Sequence, residues 1–136
     1  PDRPRWEAFV REHGLDNVTF YGFLPDDKMW VHIRHGHVML FPIRPTDFHK
    51  TRCPSKTFRY AQTRRPTITC RVGEVAEVLG DQAIYVDPTP QAWADAIRKY
   101  MQTQLLPEVD FHIEEHSYAN RGKRLTDALA ARGVRL

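Results

Sequence analysis

The stretch Cys53-Pro54-Ser55-Lys56-Thr57-Phe58-Arg59-Tyr60 gathers what is needed to hold an anion. Read as a helix whose first position is proline, it loses nothing to that residue, because the N–H it lacks has no partner inside a helix. The amides of Ser55, Lys56 and Thr57 then leave the helix start unpaired. Unpaired amides and the positive end of the helix dipole make an anion site. Lys56 adds a cation there. Arg59 lies three positions after Lys56 and four after Ser55, so the three share a face. Two cations on adjacent turns repel by roughly a few tenths of a kcal/mol; a bound phosphate turns that cost into a gain. The alternative is a surface helix whose cations project into water, and the residues alone leave both readings open.

The surrounding charge points the same way. Residues 43–71 hold six arginines and two lysines against Asp47 alone, a net +7 in 29 residues, while the rest of the chain nets −4. Such asymmetry argues about partners, not fold. It suits an anionic partner, or a solvated arginine-rich loop. His49 and Arg52 lie in the loop just before the helix. His49 is placed to touch a phosphate or a transferred group, a solvated loop histidine being the alternative.

Other reactive side chains group less well. His32, His35 and His37 fall at i, i+3 and i+5 across a helix end and do not converge, so no metal site is expected. Cys53 stands at a helix start, which lowers a thiol pKa, but no histidine spacing supports a Cys–His nucleophile. Cys53 and Cys70 are 17 positions apart with no C-x-x-C, which excludes a disulfide scaffold and suits a reducing cytosol. Glu74 and Glu77 flank a short helix start. Trp6, Trp30 and Trp93 sit at core spacing.

The chain has 136 residues, 41% of them apolar, enough for one domain and one core. Its apolar runs, such as 20–24, are far too short to span a bilayer, and its charged start is no signal peptide. A soluble intracellular domain is expected.

The elements that would position these residues alternate. A helix over 4–13 carries Trp6, Phe9 and Val10 on one face and stops at Gly14. Residues 18–22 read as a strand. Pro25-Asp26-Asp27 opens a helix ending at Gly36. Residues 38–42 form a continuous apolar strand of the kind buried on both faces. A polar loop covers 43–53, and a helix runs from Pro54 to about Arg64. Then follow a strand at 67–70, a helix at 73–79, a strand at 83–86 and a helix from Thr89-Pro90 to about Gln102. After Leu105-Leu106-Pro107 a last helix covers 114–132. This alternation implies an α/β fold, a Rossmann-like parallel sheet with helices on both faces. Ligands of such sheets bind outside the carboxyl ends of the strands. The basic loop after residues 38–41 lies there.

The segments GLDNVTFYGFLPDDKMWVHIRHGHVMLFP, PSKTFRYAQTRRPTIT, GEVAEVLGDQAIYVD and PQAWADAIRKYM, in this order, resemble the C-terminal, donor-binding half of the group 1, retaining glycosyltransferases of GT-B fold. HSYANRGKRL is similar to that family's closing helix. The resemblance implies that the chain is one partial donor-binding domain, truncated at its N-terminus. The family's acceptor domain and the first strand and loop of the donor domain would lie outside it. It implies transfer of a sugar, with retention, from a nucleotide-diphosphate sugar to a glycan or lipid-linked acceptor. No metal or other cofactor is implied. The implied setting is cytoplasmic, with peripheral contact at the inner membrane face as a family habit.

The resemblance places the donor diphosphate at the helix start of Ser55 and Lys56, where the residues themselves make an anion site; Arg59, Thr51, Arg52 and His49 complete the candidate donor-diphosphate set. It identifies no catalytic residue. The family often carries two glutamates eight positions apart here, and this chain has Thr51 and Arg59. A carboxylate accepts from ribose hydroxyls, whereas arginine has no acceptor. The family's glycine after the helix is Arg64 here, while Pro66 matches. A degenerate, non-catalytic donor domain is one alternative. A polyanion binder using residues 43–71 on nucleic acid or acidic lipid is the other. Against it, the stretch lacks interleaved exposed aromatics, and no nucleic acid partner is expected.

Overall fold

The computed structural model describes residues 2–103 and 107–134. The chain divides into two units, Pro1–His32 and Ile33–Leu136. In the first, helix α1 (Arg3–Glu12) has proline in its first turn and Arg11 in its last, which suits the helix dipole. Trp6 meets Phe9 edge to face at 6.0 Å, and Phe9 stacks on His13 at 4.0 Å. Trp6 is nevertheless half exposed, so its helical spacing does not bury it in this unit. The segment 18–22 forms no strand, contrary to its β-branched and aromatic composition. A strand exists only by pairing, and nothing else extended within this unit offers a ladder. Helix α2 (Asp26–His35) follows, with both acids in its first turn.

The second unit is built on a three-stranded parallel sheet in the order β1-β2-β3: β1 (Met39–Phe41), β2 (Thr67–Thr69) and β3 (Ile84–Tyr85). Met39 pairs with Thr67, Phe41 with Thr69, and Thr69 in turn with Tyr85. The sheet is flanked by helices, as the α/β expectation requires. One detail is reversed. The strand buried on both faces is β2, whose three residues are fully buried, whereas β1 lies at an edge with Leu40 41% exposed. Composition reports hydrophobicity; only strand order decides which strand has a neighbour on each side.

The remaining helices are α3 (Asp47–Lys50), α4 (Ser55–Gln62), α5 (Gly73–Leu79), α6 (Pro90–Met101) and α7 (Tyr118–Ala130). The core joins Ile43, Ala61, Cys70, Val72, Val75, Val78, Leu79 and Phe111, with Phe58 and Trp93 packed against it. Each fully buried Val, Ile or Leu contributes about 1.5–3 kcal/mol. Local signals account for the helix ends. Thr89 accepts from the Ala92 amide and precedes Pro90, and Ser117 accepts from the Asn120 amide. The Ser117 cap also breaks the expected 114–132 helix into a 3₁₀ turn (Ile113–His116) and α7. The expected break at Leu105-Leu106 lies outside the described residues.

Candidate functional site

The segment read as a loop at 43–53 contains α3. Thr46 is its N-cap: its hydroxyl accepts from the His49 amide at 3.3 Å and lies 2.9 Å from His49 Nδ1. Thr51 ends the helix and donates to the Phe48 carbonyl at 3.1 Å. A threonine directly before an acidic first helical residue, Thr46-Asp47, is a favoured N-cap, so this turn carried a local signal.

Helix α4 starts one residue later than expected. Pro54 is the extended cap (φ −74°, ψ 121°) and Ser55 the first helical residue. The Thr57 amide is already taken by the Pro54 carbonyl at 3.0 Å. The anion-binding set therefore shrinks from three amides to two, those of Ser55 and Lys56, which have no acceptor among the described residues. A tightened first turn of this kind is a common way of satisfying a helix end.

Ser55 and Lys56, whose amides leave the helix start without a partner, line a cavity of about 410 Å³ at the carboxyl end of β1. Phe41, Pro42 and Ile43 form one wall, and His49, Arg52, Pro54, Ser55 and Lys56 the rest. Four of the six residues singled out from the sequence thus meet in one cavity: His49, Arg52, Ser55 and Lys56. Thr51 and Arg59 do not line it. Arg59 sits a turn further along α4, half-buried. Phe41 was not anticipated; the Lys56 ammonium lies 5.8 Å from its ring centre. The Arg52 guanidinium is likewise 5.1 Å from the ring of Phe48. Exposed cation–π contacts of this kind contribute about 0.5–1 kcal/mol each. They hold both cations at the cavity without neutralising them.

Elsewhere in the basic segment three cations are paired. Lys50 pairs with Asp47 at 2.9 Å, Arg71 with Asp81 at 2.7 Å and Arg64 with Glu108 at 3.7 Å. Neither Lys56 nor Arg52 has a carboxylate partner among the described residues. The net +7 read from residues 43–71 is therefore not a uniform basic face.

Two fastenings hold the cavity walls. At the first residue of α5, Gly73 has φ 41°, and a Cβ there would stand 3.0 Å from both Cα and C of Lys50 and collide with its carbonyl oxygen. At the other side of α4, Arg121 of α7 pairs with Glu74, lies 3.1 Å from His116 Nδ1 and covers the Phe58 ring at 5.1 Å. Glu74 is thus a tie between α5 and α7 as well as a first-turn acid. Its partner, 47 residues away, carries no local sequence signal. Cys53 is exposed; Cys70 is buried, and that burial pushes its thiol pKa up. Among the described residues no three His, Cys, Asp or Glu side chains gather to hold a metal ion. The His32 ring lies 4.1 Å from that of Tyr21, tilted by 39°. No helix of the described residues is long and apolar enough to cross a membrane.

The family described as "Glycosyl transferases group 1" matches residues 1–103. No curated protein and no solved structure matches the chain.

Proposed function

We propose that this chain, which belongs to the group 1 glycosyltransferase family, binds the diphosphate of a nucleotide-sugar donor in the cavity at the start of α4. The supporting observation is the meeting of the Ser55 and Lys56 amides with the uncompensated cations of Lys56 and Arg52 in one 410 Å³ cavity at a strand's carboxyl end. In this reading the amides and the α4 dipole hold the phosphate oxygens, while Lys56 and Arg52 balance their charge. His49 adds a ring nitrogen to the cavity lining. Charge that builds on the departing nucleoside diphosphate is met by groups already oriented toward it. The sugar passes, with retention, to a glycan or lipid-linked acceptor held by a further domain. No metal or other cofactor is assigned a step, and the setting is cytoplasmic with peripheral membrane contact.

One observation favours a second reading, a donor-type domain without catalysis. None of the residues lining the cavity is a carboxylate, and Arg59 stands where the family's ribose-binding acid is expected. Calorimetric titration with UDP, GDP, ADP, dTDP and pyrophosphate separates the readings. Preference for one nucleotide, weakened roughly tenfold or more by Lys56→Ala, is the expected result. Equal binding of all of them and of pyrophosphate favours the bare anion site. No binding removes the proposal.

A further inference from the structure

The amides of the anion site belong to a helix start with no cap of its own. Pro54 offers no capping side chain, and the first turn of α4 holds no acid. A helix of eight residues is too short to be stable alone in water. The arrangement of the Ser55 and Lys56 amides therefore depends on what packs against α4 from elsewhere in the fold.

Arg121 of α7 reaches it on both sides of Ser55. Phe58, three positions after Ser55, lies under the Arg121 guanidinium at 5.1 Å. Cys53, two positions before Ser55, has its thiol beside the same group. Cys53, Ser55, Phe58 and Arg121 all line one cavity of about 530 Å³. Glu74 anchors the guanidinium to the first turn of α5, and His116 Nδ1 lies 3.1 Å from it in the 3₁₀ turn.

Arg121 is not itself an anion ligand. Its charge is met by Glu74, and it does not line the cavity at the carboxyl end of β1. Its Nε is buried and has no partner among the described residues. A buried donor left unpaired is costly, and a lysine or an apolar side chain would avoid that cost. What arginine alone supplies is a planar fork that lies on a ring and pairs with a carboxylate at the same time. Arg121 also stands outside residues 1–103, the part of the chain that matches the family.

We infer that Arg121 is a positioning residue for the anion site, locking the start of α4 through Cys53 and Phe58 and so holding the Ser55 and Lys56 amides in the arrangement an anion requires. The lock stands on these contacts. Its effect on a nucleoside diphosphate rests on the function proposed above.

Amide hydrogen exchange, followed by NMR on the full chain without nucleotide, reads the helix start directly. The Thr57 amide donates to the Pro54 carbonyl at 3.0 Å within the first turn of α4, and the Val86 amide donates to the Thr69 carbonyl at 2.9 Å and reports the sheet. Arg121→Ala should speed exchange at Thr57 by roughly tenfold more than at Val86. Arg121→Lys should do so several-fold, because an ammonium keeps the charge but not the planar contact. Equal changes at the two amides, or none at Thr57, overturn the inference. The same variants are titrated with UDP, GDP, ADP and dTDP. The expected result is an affinity lowered roughly tenfold by Arg121→Ala and several-fold by Arg121→Lys. Native affinity in Arg121→Lys would mean that charge alone matters and would also overturn the inference. A native chain that binds no nucleoside diphosphate removes the donor-site proposal and leaves the lock to the exchange data. Nucleotide binding that neither variant weakens does the reverse.

Discussion

Gly73 stands directly against the backbone of Lys50: a Cβ at Gly73 would lie 3.0 Å from the Lys50 Cα, and its φ of 41° already belongs to the left-handed region. The contact pins the end of α3 to the start of α5. It thereby fixes the short helix that carries His49 and leads to Arg52.

Gly73→Ala therefore carries two costs, an unfavourable φ and a backbone collision. We expect a loss of roughly 1–3 kcal/mol in stability, read from urea midpoints. We also expect weaker nucleoside diphosphate binding, because α3 must move to admit the methyl group. An alanine variant with native stability would show that the two backbones do not constrain each other.

Arg64 tests a departure visible in the sequence. It stands where the resemblance expects glycine, and it holds φ 56°. Left-handed backbone costs a residue with a Cβ about 1–2 kcal/mol, and glycine returns part of that gain through the unfolded chain's freedom. Arg64→Gly should stabilise the protein by about 0.5–1 kcal/mol, and the exposed pair with Glu108 that it removes offsets little. Arg64→Val, with its branched Cβ, should destabilise it. Thermal melts of the two variants moving in the same direction would contradict this account.

The tie at α7 predicts a pH dependence. Burial, with Arg121 and Arg124 close by, holds the His116 imidazole below its ordinary value, with Glu74 and Glu115 opposing. The unfolded chain then takes up the proton first as pH falls through about 6.5. The stability associated with neutral His116 is present above that pH and is lost as pH drops through the lower folded value. Urea midpoints between about pH 7.5 and about pH 5 should fall, and His116→Gln should flatten the fall. An identical slope in the variant would remove His116 from the account.

What the sequence shows most clearly is what local chemistry decides. The Pro54-Ser55-Lys56 helix start, the Thr89-Pro90 cap and the alternation of helices with β2 and β3 are all readable from neighbouring residues. What it hides depends on distant partners. The segment 18–22 has strand composition but no ladder within its unit, and the burial of β2 rather than β1 follows from strand order. The loss of the Thr57 amide to Pro54 turns on a one-residue shift of the helix start. Phe41 joins Lys56, and Arg121 joins Glu74, only because the fold brings them together.

The central claim is that the free amides at the start of α4 hold a diphosphate, and Ser55 allows it to be tested at a single atom. Ser55→Pro deletes one amide while keeping a first helical residue that proline tolerates, after a Pro54 already in the extended conformation that a following proline requires. Ser55→Ala removes only the hydroxyl. Calorimetric titration of both variants with the nucleoside diphosphate that binds the native chain should leave Ser55→Ala within about threefold of native and weaken Ser55→Pro by roughly tenfold or more. Equal affinities for the two variants, with equal helix content by circular dichroism, would contradict the claim.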